Sequence, residues 1–118
     1  MLRAADVGRA LQAGARFLVS PGMTPELAGS ALASELPYLP GVATPSEIMA
    51  ARALGICVMK LFPAEALGGV GFLRALAPVF SGIAFCPTGG IDERSAGDWV
   101  RVQRLAERAA AIGRAEAA

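Results

Sequence analysis

The sequence predicts an α/β domain: one sheet of parallel strands, with helices alternating between them. Three observations predict it. Short apolar runs end again and again in Pro/Gly turns, and each turn leads into a helix-start signal. The pattern also repeats: Gly22 against Gly41, and Thr24 against Thr44, give one strand and one helix in every roughly 20 residues. Apolar strands alternating with amphipathic helices form a parallel sheet covered by helices.

The elements follow in order. A first helix is expected over about 4–13, with Val7, Ala10 and Leu11 on its apolar face and Gly14 as its stop. The run Phe17-Leu18-Val19 is a short strand that ends at Ser20-Pro21-Gly22. Thr24-Pro25-Glu26 starts the next helix, with Thr24 as N-cap, Pro25 in the first turn and a carboxylate beside it; this helix is expected to reach 34. Tyr38-Leu39 is the second strand and ends at Pro40-Gly41. Thr44 and Glu47 then stand at capping-box spacing ahead of a helix carrying Ile48, Ala51 and Leu54, stopped by Gly55. The third unit is the run Cys57 to Leu61, the Phe62-Pro63 turn and a helix over about 70–77. A fourth is Ile83 to Cys86, followed by Pro87-Thr88-Gly89-Gly90. A final helix is expected over about 98–112, with Trp99, Val102, Leu105, Ala109 and Ile112 on one face.

Composition excludes several classes. The 118 residues make one small domain, 54% hydrophobic, with a formal net charge of +1 and scattered arginines, which leaves no nucleic-acid footprint. No apolar run approaches the ~20 residues that span a bilayer, and no signal peptide opens the chain, so a cytoplasmic location is expected. Cys57 and Cys86 both lie in apolar runs and are expected to be small buried hydrophobes. With no histidine and no Cys-x-x-Cys, neither a metal site nor another cofactor is expected. Without histidine, acid–base chemistry falls to carboxylates or lysine.

In parallel α/β folds, functional residues gather at the C-terminal ends of the strands. Lys60, the only lysine in the chain, falls there. Flanked by Met59 and Leu61, its amine is expected to be partly desolvated. That disfavours the charged form and makes a lysine nucleophilic toward carbonyl carbon. A lysine whose stem packs on apolar neighbours while its amine reaches water fits the same stretch. Glu65, just beyond, is either a proton shuttle or a structural carboxylate bonding turn amides. Thr88-Gly89-Gly90 is either a plain glycine turn or an anion nest for phosphate.

Four segments in order then carry a resemblance: 17–22 (FLVSPG), 39–47 (LPGVATPSE), 60–65 (KLFPAE) and 85–91 (FCPTGGI). Together they resemble the bacterial 2-keto-3-deoxy-6-phosphogluconate (KDPG) / 4-hydroxy-2-oxoglutarate (KHG) aldolases, from about residue 3 to residue 95. The resemblance implies a (β/α)8 TIM barrel, here partial: about four parallel strand–helix units plus a C-terminal helix, in one incomplete domain over 1–118. It makes Lys60 the Schiff-base lysine. It makes Thr88 a substrate-contacting residue that influences stereoselectivity, Gly89 and Gly90 part of the phosphate loop, and Pro21 and Phe62 pocket-lining positions. The implied reaction is a class I retro-aldol cleavage, giving pyruvate and glyceraldehyde 3-phosphate from KDPG, or pyruvate and glyoxylate from KHG. The implied partners are pyruvate or a phosphorylated 2-keto acid and further copies of the chain, a trimer in intact relatives; neither nucleic acid nor membrane is expected.

The family's general-base glutamate, and the arginine and threonine that help bind substrate, have no counterpart in this sequence. A strand and a Gly-Gly-Ser loop that complete the phosphate site are expected to be missing near Ser95 to Asp98. The chain is thus expected to be a shortened, internally deleted relative with doubtful activity of its own. Its open sheet should expose two edges and an apolar face, favouring self-association.

Overall fold

A computed structural model describes residues 1–93. The predicted helix over 98–112 and the missing strand before it lie outside the described residues. Within them the order is α1 (Ala5–Gln12), β1 (Leu18–Val19), α2 (Pro25–Ala33), β2 (Tyr38–Leu39), β3 (Gly41–Val42), α3 (Pro45–Ala53), β4 (Val58–Leu61), α4 (Gly69–Leu76) and β5 (Ala84–Pro87). Every strand pairing is parallel: β1 with β2, β3 with β4, and β4 with β5. Only Pro40 separates β2 from β3. Its carbonyl accepts from the Lys60 N–H at 2.8 Å, and the Gly41 N–H reaches back to Ser20 O at 2.9 Å. The two segments therefore act as one strand, and the chain builds four parallel strands in sequence order.

Local chemistry sets the helix starts. Thr24 Oγ1 accepts from the Leu27 N–H at 3.2 Å, with Pro25 in the first turn of α2. At α3 the predicted capping box is complete: Glu47 N–H donates to Thr44 Oγ1 at 3.3 Å, and Thr44 N–H donates to Glu47 Oε2 at 3.0 Å. α1 lacks a capping side chain at Ala4. Instead Asp6 accepts from the N–H groups of Leu2 and Arg3, each at 3.0 Å, and these bonds hold its carboxyl below the usual carboxylate range. Gly14 and Gly55 end α1 and α3 at positive φ.

One face of the sheet is core. Leu18, Tyr38, Val42, Met59, Leu61 and Phe85 pack with Leu27, Ala28 and Ala31 of α2, Ile48 and Ala51 of α3, and Leu73 and Leu76 of α4. Ser20 is buried here as well. Its single hydroxyl hydrogen goes to Gly22 O at 2.6 Å, so the buried Tyr38 phenol is the donor in the 2.7 Å bond between the two. The opposite face carries Val19, Leu39, Val58, Lys60, Ala84 and Cys86, and no helix of the described residues covers it. β4 shows the contrast: Met59 is 0% exposed and Val58 is 52% exposed.

That asymmetry corrects three expectations. Cys57 and Cys86 are both exposed. Cys57 lies just before β4, and Cys86 is on the uncovered face. The β4 run is half-buried by alternation, not buried throughout. Leu11 and Leu54, assigned to apolar helix faces, are 43% and 46% exposed, because the helices bury only a narrow stripe. No helix among the described residues is long and apolar enough to cross a membrane.

Candidate active site

Lys60 sits one residue before the end of β4, in register with Gly41 on one side and Cys86 on the other. The alternation that buries Met59 and Leu61 turns Lys60 to the uncovered face, where it is partly exposed. Its Nζ lies 4.4 Å from the centroid of the Phe62 ring. That is within cation–π distance of the ring face. Among the described residues the amine has no ion-pair or hydrogen-bond partner.

The two loops singled out in the sequence, 62–65 and 88–90, are one interlocked unit. Thr88 N–H donates to Leu61 O at 3.0 Å, Ala64 N–H to Thr88 O at 2.8 Å, and Glu65 N–H to Gly89 O at 3.1 Å. The Phe62–Pro63 peptide is cis. Gly89 and Gly90 have φ of +97° and +78°. A Cβ on Gly89 would stand 3.2 Å from Pro63 Cα, and one on Gly90 would stand 2.9 Å from Glu65 Cβ. Both positions therefore require glycine, for conformation and for space. Their own N–H groups donate to nothing among the described residues.

Two residues beyond Cys86, the strand alternation carries Thr88 toward the face of Lys60. Its Oγ1 is buried without a hydrogen-bond partner among the described residues. A buried orphan hydroxyl costs about 1–3 kcal/mol, so it is poised to take one. Glu65 points elsewhere. A Cβ on Gly69, the first residue of α4, would lie 3.0 Å from Glu65 Oε2. The carboxylate therefore sits at a helix N-terminus, where negative charge is favoured, and the structural role fits it.

Pro21 follows β1, two strands over from Lys60. Its backbone crowds Gly41, the register partner of Lys60, and Pro21 lines a hollow with Gly22, Thr24 and Leu27. Two neighbours of Lys60 escaped the sequence reading. Gly41 is fixed by its approach to Pro21, and Cys86 is the register partner of Lys60 on β5. Aligning the strand ends Pro40-Gly41, Lys60-Leu61 and Cys86-Pro87 by their following turns would have given this register.

Parallel strand–helix units with functional groups at the strand C-termini place the chain in the (β/α)-barrel class. The comparisons narrow that class. Residues 1–113 match the family described as KDPG and KHG aldolase, and the chain belongs to that family. A 2-dehydro-3-deoxy-phosphogluconate aldolase of Pseudomonas aeruginosa is 50% identical over 94 residues, which take in 80% of this chain and 43% of the relative. One of Zymomonas mobilis is 37% identical over 140 aligned positions, covering all of this chain and 67% of the relative. Those positions outnumber the 118 residues here, so that relative holds internal residues with no counterpart in this chain. The crystal structure of KDPG aldolase from Legionella pneumophila, with pyruvate captured as a covalent carbinolamine intermediate, superposes with a TM-score of 0.81 at 40% identity. It covers 84% of this chain and 48% of that one. The fold is thus a partial (β/α)8 barrel, and the chain spans about half the length of the relatives it matches.

Proposed function

We propose that Lys60 is the imine-forming nucleophile of a class I aldolase site acting on 2-keto acids, with pyruvate as product and KDPG or KHG as substrate. The observation that carries this reading is an unpaired lysine amine at a strand's C-terminal end, in a chain of this family, with the Phe62 ring 4.4 Å away. In the proposed cycle the neutral amine adds to the C2 ketone, and loss of water leaves a cationic iminium. The C3–C4 bond then breaks with its electrons drawn into that iminium. The C4 hydroxyl gives up its proton as the aldehyde leaves, the enamine takes a proton at C3, and hydrolysis returns the amine and releases pyruvate. The Phe62 ring favours cationic nitrogen in the iminium as it does in the ammonium. The orphan Thr88 Oγ1 supplies a donor for the substrate's oxygens, and the Gly89 and Gly90 N–H groups suit a phosphate oxygen.

A direct assay is pyruvate release from KDPG and from KHG, comparing the protein with K60R. Release that depends on Lys60 is expected; equal release by both proteins, or none from folded protein, overturns the reading. A second reading is a non-catalytic, self-associating protein. It is favoured by the uncovered sheet face, which carries Val58, 52% exposed, and by Phe17 just ahead of β1, 64% exposed. Concentration-dependent sedimentation without pyruvate release would support it over the first.

A further inference from the structure

Lys60 and Cys86 are register partners on adjacent parallel strands. Their side chains leave the same face. Adjacent strands lie about 4.8 Å apart, a gap that the rotatable four-carbon stem of a lysine spans easily. Among the described residues, neither group has a hydrogen bond or an ion pair. The Cys86 thiol is free and exposed, with no hydrogen bond among the described residues, and the amine meets only the Phe62 ring. The second thiol cannot compete for this amine. Cys57 is three residues upstream of Lys60, about 10 Å along the strand direction, and its Sγ bonds Gly55 O at 3.7 Å.

We propose that the Lys60–Cys86 pair is an oxidative modification site, at which a peroxide joins the two side chains by a sulfur–nitrogen bond. In the first step the thiol sulfur takes one oxygen from hydrogen peroxide, giving a sulfenic acid and one water; sulfur is oxidised by two electrons and the peroxide is reduced. In the second, the neutral Lys60 amine attacks that sulfur. The S–O bond breaks, the nitrogen gives up one proton, and a second water leaves. The product is a sulfenamide lacking two hydrogens relative to the starting pair. A thiol reductant reverses it by displacing the amine from sulfur. The nitrogen is then held by sulfur and is no longer a free primary amine able to condense with a ketone, so oxidation switches off the site. That consequence rests on the aldolase reading, whereas the cross-link itself does not.

The test uses the full chain carrying Cys57→Ser, so that Cys86 is the only thiol. The protein is treated with hydrogen peroxide and examined by intact mass and peptide mapping. A separate portion is trapped with pyruvate and borohydride. The expected product has lost two hydrogens, joins the Lys60 and Cys86 peptides, and reverts with dithiothreitol. Its trapping capacity falls in proportion to the cross-linked fraction, and the further variant Lys60→Arg gains oxygen at Cys86 instead. Oxygen gained at Cys86 while Lys60 stays free, a disulfide between two chains, or a thiol that survives peroxide unchanged would each overturn the proposal. Absence of trapping in the reduced protein bears on the imine reading alone, because the mapped cross-link is scored independently of it.

Discussion

Replacing Gly41 by alanine tests the join between β1 and β3 beside Lys60. The new Cβ would run into the Pro21 carbonyl group and come within 3.0 Å of Gly22 N. These are backbone atoms and cannot rotate aside. Gly41 N–H is tied to Ser20 O at 2.9 Å, and the adjacent Pro40 carbonyl to Lys60 N–H at 2.8 Å, so the clash is resolved only by parting one of these connections. Overpacking costs about 1–3 kcal/mol, and a lost hydrogen bond adds about 1 kcal/mol. The expected loss is about 3 kcal/mol, a large share of the ~5–15 kcal/mol that holds a small domain. Gly29, on the exposed side of α2, is the matched control. A Cβ there meets nothing within 4 Å, and a glycine within a helix costs about 0.5–1 kcal/mol relative to alanine. Urea denaturation of both variants, with unchanged dependence on denaturant, gives the two differences. Gly41→Ala should destabilise and Gly29→Ala should stabilise. A loss below about 0.5 kcal/mol for Gly41→Ala, the range of ordinary surface changes, would refute the close approach.

Thr88→Val removes a hydroxyl that has no partner among the described residues, so stability should hold or rise by up to about 1 kcal/mol, while pyruvate trapping and release should fall; a fall in stability with unchanged trapping would contradict the role given to Oγ1. Tyr38 is the only tyrosine, so phenolate absorbance reads it directly. Burial raises its phenol above the ordinary value near 10.0. A raised folded pKa gives stability that is full below pH 10.0 and lost as pH rises through the folded value. Tyr38→Phe should lack that alkaline fall, and a phenolate midpoint at or below 10.0 would count against the burial.

What the sequence made legible were features with local causes. Thr24-Pro25 and the Thr44…Glu47 box announce helices through bonds made within one turn, and both appear where expected. The strands were legible from their Pro/Gly punctuation, and the order of units followed from the repeat. Which strand face is covered was not legible. A barrel's interior is lined by apolar side chains much as its helix-facing side is, so Val58 and Cys86 read in sequence like Met59 and Phe85. Only tertiary packing tells them apart. Lys60 was legible because it is unique and stands at a strand end. Its neighbours were not: Gly41, Cys86 and the locking of Gly89 and Gly90 onto Pro63 and Glu65 depend on contacts between distant segments. Pro21, assigned to the pocket through resemblance, packs its carbonyl against Gly41, the register partner of Lys60, and that contact too joins distant segments.

The most direct measurement is the mass of the folded protein after incubation with pyruvate and borohydride. An imine on Lys60 predicts a single reduced pyruvyl adduct, mapped to Lys60 and absent in K60R. Folded protein without an adduct, or an adduct that survives in K60R, would contradict a live imine site at the end of β4.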